Sequence, residues 1–173
     1  MNPQEQQIVT CIPRLRRYAR ALLKDTELAE DLVQETLVRA LGKLHLWRRG
    51  SDMRAWLFTI MHHHHVNEGM RAQRRPTAFS LEDEGVPEPR SSGYADQQAH
   101  LGDLETGLQQ LPEEQRMVLL LVSLEGLTYQ ETARVLGIKQ GTVMSRLHRA
   151  RERMREWITQ TTDTKVATIR GVK

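Results

Sequence analysis

The stretch TYQETARVLGIKQGTVMSRLHRARERMREW, residues 128–157, decides the fold. Its first four residues, Thr128-Tyr129-Gln130-Glu131, have the spacing of a capping box: a hydroxyl accepts from the amide three residues on, and the acid there reaches back to the cap. The short helix they start turns Ala133 and Leu136 inward, and Gly137 stands where a chain leaves a helix through a left-handed residue. Ile138 packs the turn, and a second helix follows from Gln140 to about Trp157. At about 100° per residue, Val143, Leu147, Ala150 and Met154 fall in one apolar stripe. The opposite arc carries Ser145, His148, Arg149 and Glu152, with Arg146 and Arg153 on one flank and Met144 and Arg151 on the other. Capping box, turn glycine and apolar register at this spacing predict a helix-turn-helix whose second helix enters the major groove of duplex DNA. For the arginine-rich face alone, a solvated helix surface is the alternative.

Upstream, Pro112 suits the first turn of a helix, with Glu113 and Glu114 behind it, and leads into an apolar run from Met117 to Leu124 that Gly126 ends. Periodicity starts near Leu101 with Leu104 and Leu108. Before it, from Thr77 to about Asp96, the pattern dissolves into Pro, Gly and polar residues around Glu82-Asp83-Glu84, which reads as a flexible linker. The N-terminal part is again helical. A short helix over Pro3 to Cys11 is expected, then a second opened by Pro13 and running to about Lys24. Asp25 caps a third, with Leu28, Leu32, Leu37, Ala40, Leu41 and Leu44 at three- and four-residue spacing and Glu30, Asp31, Gln34 and Glu35 on its polar face. A loop from His45 to Gly50 follows, and Ser51 or Asp52 caps a further helix through Met53, Trp56, Leu57, Ile60 and Met61 into Arg71, ending before Pro76.

The whole is all-α, with two small helical domains at residues 1–76 and 101–160, a linker at 77–100 and a tail at 161–173 that is expected to be disordered when free. With 39% hydrophobic and 27% charged residues the 173-residue chain is ordinary soluble material. No run approaches the roughly 18 apolar residues that span a bilayer, and the N-terminus lacks a secretory pattern, so a cytoplasmic location is expected. Cys11 alone makes no internal disulfide and no CxxC pair, and reads as a small buried residue. The net charge of +3 is modest, but arginine clusters at Arg14 to Arg20, Arg71 to Arg75 and Arg146 to Arg155 point to nucleic acid as a partner. The run His62 to His65 raises metal binding. On a helix only His62 and His65 share a face, and no cysteine or carboxylate cluster completes a tetrahedral set, so neither metal nor cofactor is expected.

These residues resemble a family, the extracytoplasmic-function (ECF) σ factors that direct bacterial RNA polymerase to promoters. The resemblance runs from about Pro13 to Trp157. It is carried by Leu111-Pro112-Glu113-Glu114-Gln115-Arg116, Glu125-Gly126-Leu127-Thr128-Tyr129, Gly141-Thr142-Val143 and Ser145-Arg146-Leu147-His148-Arg149-Ala150-Arg151, similar to the family's σ4 domain. In the N-terminal half, Ala29-Glu30-Asp31-Leu32-Val33-Gln34-Glu35-Thr36 and Arg54-Ala55-Trp56-Leu57-Phe58-Thr59-Ile60 resemble σ2.

The resemblance implies partners and roles. Core RNA polymerase would be bound at its β′ clamp and β flap, with Asp31, Gln34 and Glu35 on the clamp, where the residues by themselves read only as a solvated acidic face. Promoter DNA would meet Lys139, Gln140, Thr142, Met144, Ser145, Arg146, His148, Arg149 and Arg151 at the −35 element. At the −10 element it would meet Trp47, Arg48, Arg49, His62, His63, Arg71, Arg74 and Arg75, with a flipped base held in the loop around Leu46 to Gly50. Trp47 reads equally as a core anchor of that loop, and Trp56 and Trp157 read as core. An anti-σ protein is a further implied partner, stabilising a closed form in which the two domains hide their DNA and polymerase faces.

The family supplies recognition and leaves catalysis to the polymerase, so no catalytic residue is expected. Two other classes compete. A ligand-sensing transcription regulator would bind duplex DNA without polymerase, and a metal-dependent enzyme would use the histidine run; the strings at Asp31 to Glu35 and Arg54 to Ile60 favour the σ reading. The sequence departs from the family pattern at Lys139, where a capping Ser is common, at Met144, usually basic, and at His63, commonly Asn.

Overall fold

The computed structural model describes the backbone of residues 2–74 and 95–171 and the side chains of 2–72 and 102–163. Arg75, the segment 77–94 read as linker, and the side chains of Arg74 and of the tail beyond Asp163 lie outside the described residues. Every described element is helical. They are α1 (Pro3–Leu22), α2 (Thr26–Gly42), a 3-10 turn (Leu44–Leu46), α3 (Met53–Arg74), α4 (Ala95–Gln110), α5 (Glu113–Leu119), a π-helical turn (Leu120–Leu124), α6 (Tyr129–Leu136) and α7 (Gln140–Gly171). The all-α, two-domain expectation holds, with α1–α3 in one half and α4–α7 in the other.

Polar side chains start the helices where the sequence puts them. Asp25 accepts from the amides of Glu27 and Leu28 at 2.8 and 3.0 Å, and Asp52 from that of Arg54 at 2.8 Å. Each replaces a lost backbone partner in a first turn. Asn2 and Glu5 add a capping box that the sequence reading passed over.

Three boundaries differ from expectation. The two helices expected at Pro3–Cys11 and Pro13–Lys24 are one, because Pro13 lies inside α1. Proline removes one donor from the ladder, and the carbonyl it frees belongs to Val9, a residue on the exposed side of α1. Helix α4 begins at Ala95, within the segment read as linker. The last helix continues to Gly171, well past the expected end at Trp157 and through the segment read as a disordered tail. In its extension the hydroxyls of Thr159, Thr161 and Thr162 bond to carbonyls one turn back, and the Trp157 indole N–H donates to the Asp103 carbonyl at 2.9 Å.

One hydrophobic cluster joins the halves. Leu15, Tyr18 and Leu22 of α1 and Leu57, Phe58 and Met61 of α3 belong to the same core as Val118, Leu121, Val135 and Leu147 from the C-terminal half. Tyr18 meets Phe58 edge to face at 5.1 Å between ring centres. Full burial of one such side chain is worth about 1.5–3 kcal/mol, so separating the halves exposes apolar surface at a real cost. A smaller cluster of Leu111, Ala150 and Met154 seats α7 within its own half.

Candidate nucleic-acid interface

The helix-turn-helix forms as its sequence dictates. The Thr128 hydroxyl accepts from the Glu131 amide at 3.2 Å, and the Glu131 carboxylate accepts from the Thr128 amide at 2.7 Å. Gly137 leaves α6 at φ +65°, a conformation that side chains with a Cβ resist. The Ile138 amide then donates to the Ala133 carbonyl at 3.1 Å, closing the turn. Along α7, Val143, Leu147 and Ala150 are at most 2% exposed, and Met154 is 8% exposed. The stripe inferred from periodicity is therefore the buried one.

The opposite face is open. Lys139, Gln140, Met144, Ser145, His148, Arg149 and Arg151 are exposed, and Thr142 is half-buried. Arg146 differs from the rest of this set. It is partly buried and pairs with Glu114 of α5 at 2.7 Å, so it ties α7 to its own half. At position 139 it is the backbone carbonyl of Lys139 that receives the Thr142 and Val143 amides, at 2.9 and 3.1 Å.

The residues assigned to the −10 element are less uniform. Arg48 and Arg49 are exposed on the loop, whereas Trp47 is 8% exposed and packs in the core. Of the two readings of Trp47, the buried ring is that of a core anchor, not of an open stacking surface. Its indole N–H is buried with no partner among the described residues. On α3, His63 is exposed and Arg71 pairs with Glu68 at 2.9 Å. His62 instead points to the C-terminal half, where its ring lies beside the Leu136 backbone. Burial first, then the neighbouring His63 and His65, pull its pKa down to about 4. His65 contacts Glu113 of α5. The histidine run is thus divided between an interface and solvent, and no group of three His, Cys, Asp or Glu among the described residues is spaced to hold a metal ion.

On α2, Asp31 and Gln34 are exposed and Glu35 is half-buried against Arg39 at 2.8 Å. They line a groove of about 810 Å³ with Leu28 and Val38, which are 57% and 64% exposed, and with Glu68 and Arg71 across it on α3. Its rim is mixed in charge, with Glu35 paired to Arg39 and Glu68 to Arg71 around the exposed apolar side chains.

A model of the sigma2 domain of PhyR matches residues 8–62, and a model of sigma-70 region 4 matches residues 101–154. The chain is 35% identical over 150 residues to the ECF RNA polymerase sigma factor EcfG of Rhodopseudomonas palustris, covering 85% of this chain and 80% of that one. This chain belongs to the ECF RNA polymerase sigma factors. It is 31% identical to the RNA polymerase sigma factor YlaC of Bacillus subtilis over 78% of this chain and 79% of that one. Its fold matches the sigma factor RpoE of Bartonella quintana, solved in complex with the anti-sigma factor NepR, with a TM-score of 0.72 at 31% identity over 90% of this chain and 96% of that one. As an ECF sigma factor it binds core RNA polymerase and directs promoter-specific initiation of transcription.

In this sigma factor the two halves are closed on each other by contacts that sequence reasoning missed. Arg17 of α1 donates from Nε to Glu125 Oε1 at 3.0 Å and from a terminal nitrogen to the Leu124 carbonyl at 3.1 Å. Arg54 of α3 donates to the Glu125 carbonyl at 2.9 Å. In the other direction Arg116 donates to the Leu22 carbonyl at 2.8 Å and Gln109 to the Ala21 carbonyl at 3.3 Å. Each half thereby caps the C-terminal carbonyls of a helix in the other. The one available signal was Glu125, a lone acid after the apolar run from Met117 to Leu124, whose side chain is fully buried.

Closure hides less than the sequence reading expected. The α3 face that carries Trp56, Thr59 and His62 lies against α6, across a cleft of about 380 Å³. The outward face of α7 and the groove on α2 stay open.

Proposed function

We propose that this sigma factor reads the −35 element with the exposed face of α7, in which Ser145, His148 and Arg149 reach base edges and Lys139, Gln140 and Arg151 lie along the backbone. The observation that carries this reading is that face itself: a row of short polar side chains and arginines left in solvent on a helix whose other side is anchored by the capping box, the Gly137 turn and a buried stripe. Arg146, held by Glu114, positions the helix. The exposed loop residues Arg48 and Arg49 and the exposed residues of α3 meet the −10 element, and Asp31, Gln34 and Glu35 dock on the polymerase clamp. The β flap, by the family's pattern, takes the C-terminal domain. Catalysis belongs to the polymerase, and the site of action is the cytoplasm. No helix among the described residues is long and apolar enough to cross a membrane.

An anti-sigma protein is the proposed regulator, supported by the likeness to RpoE of Bartonella quintana, whose structure was solved with one bound. Its binding favours the closed arrangement of the two halves, in which the α3 face with Trp56, Thr59 and His62 lies against α6. The test is transcription by purified core polymerase on a promoter library with and without this protein. Promoter-specific starts that appear only with it, and that carry a shared upstream element, are the expected result. Uniform starts in both reactions would sink the reading.

A further inference from the structure

The arginine run in α1 is more than a solvated basic face. Arg16 and Arg20 answer to Glu30 of α2, at 3.1 and 2.7 Å, within their own half. Arg17 lies between them in sequence, yet among the described residues its hydrogen bonds go to the C-terminal half, to Glu125 and Leu124. Arg54 converges on the same place from the first turn of α3, just beyond the loop that carries Arg48 and Arg49. Asp52 steadies it from the side at 3.2 Å.

What the two guanidinium groups grip has a definite chemistry. It is a carboxylate oxygen of Glu125 together with the Leu124 and Glu125 carbonyls, at the C-terminal end of the segment that runs from α5 through the π-helical turn. A helix C-terminus carries partial negative charge, and the carboxylate adds a full one. The result is three anionic or partly anionic oxygens, two held by Arg17 and the third, the Glu125 carbonyl, by one terminal nitrogen of Arg54, whose other terminal nitrogen is on Asp52. A nucleic-acid phosphate offers the same complement, and arginine is the side chain whose planar donors best suit it. Closure therefore places an acidic helix end where a phosphate would fit. The second Glu125 oxygen is buried with no partner among the described residues, so Arg17 alone answers the carboxylate and the match is incomplete.

We propose that Arg17 and Arg54 form a binding site for a backbone phosphate of promoter DNA, and that Glu125 with its adjoining carbonyls occupies this site in the closed molecule as an internal substitute. Opening the halves and binding DNA are then one exchange, in which phosphate replaces Glu125. The proposal rests on the reading of the neighbouring loop as the −10 contact, and it adds a site that joins DNA binding to domain opening.

The test uses the full chain and a short random-sequence DNA duplex, since phosphate binding needs no particular sequence. Affinity is measured by fluorescence anisotropy over a range of salt, and the separation of the halves by dyes placed on α2 and on α7. Glu125→Gln keeps the shape of the side chain and removes its charge. It should open the halves and tighten DNA binding severalfold. In that opened background Arg17→Ala and Arg54→Ala should each weaken binding and lower the slope of log affinity against log salt by about one. Arg17→Lys and Arg54→Lys, which retain the charge, should recover the slope. If the arginines serve only as a latch, their alanine variants in the otherwise unaltered chain tighten DNA binding as Glu125→Gln does, and leave the slope in the opened background unchanged; that result overturns the proposal. The holoenzyme with Arg49→Ala separates it from the −10 reading. Altered −10 preference with unchanged slopes removes the phosphate site alone, whereas altered slopes with an unchanged −10 preference remove the loop assignment and leave the phosphate site standing.

Discussion

Arg146 and Arg149 lie one turn apart on the same helix and have different work. Arg149 is exposed on the outward face, so Arg149→Ala should cost about 1–3 kcal/mol of binding at the −35 element and relax base preference there. A selection of −35 sequences with holoenzyme checks it, and unchanged preference would remove Arg149 from base readout. His62 makes a different prediction, about pH. Its folded pKa of about 4 lies below the ordinary 6.5, because burial between the halves disfavours the imidazolium. The unfolded or opened chain binds the proton more readily, so the contribution of neutral His62 is complete above about pH 6.5 and is lost as pH falls toward 4. The groups that face it are His63 and His65 on its own helix, Glu113 of α5 and the Leu136 backbone of α6. The urea midpoint should accordingly be lower near pH 5 than near pH 7.5. His62→Gln should flatten that difference, and an equally steep dependence in the variant would assign the effect to another group.

At the scale of elements, the first helix of the motif depends on its cap and the last on a close approach. Thr128 starts α6 by exchanging bonds with Glu131, so Thr128→Ala should lower stability by about 1 kcal/mol in chemical denaturation. The same change should weaken −35 binding without changing its sequence preference, because it loosens the scaffold and leaves the readout face intact. The α4–α7 contact was invisible to helical periodicity. A Cβ added at Gly107 would lie 2.5 Å from Trp157 Cδ1, and the indole is not free to swing aside because its N–H is bonded to the Asp103 carbonyl. Gly107→Ala should therefore cost about 1–3 kcal/mol and lower the melting temperature by several degrees. A melting temperature equal to that of the unaltered chain would show that the ring can move. Pro13 teaches the reverse lesson. Proline reads as a helix start in sequence, but the residue whose carbonyl it frees, Val9, is exposed and the helix passes through.

On the scale of the whole molecule, a sigma factor that spans two promoter elements must part halves that here share a core. Two turns of duplex cover about 70 Å, and a closed pair in which α6 lies on α3 leaves the helix proposed to meet the −10 element partly covered. The α2 groove proposed to take the polymerase clamp is open in this closed arrangement, so on that reading polymerase can be engaged before the halves part. Glu35→Ala should weaken competition for core polymerase while leaving the helix-turn-helix and DNA binding by the free chain unaltered, and equal competition by the variant would place the clamp contact elsewhere. Sequence by itself determined the all-helical character, the capped helix-turn-helix, the buried stripe of α7 and the open faces of α2 and α7, though not every helix boundary, because caps and apolar periods are set by residues within a turn or two of each other. Tertiary structure alone decided that Trp47 is buried, that Arg146 is tied to Glu114 and that His62 faces the other half. The same holds for Arg17 and Arg54, which meet Glu125 across 108 and 71 residues of chain. Such distant partners leave no period in the sequence, and which charges are covered depends on how two amphipathic surfaces come together.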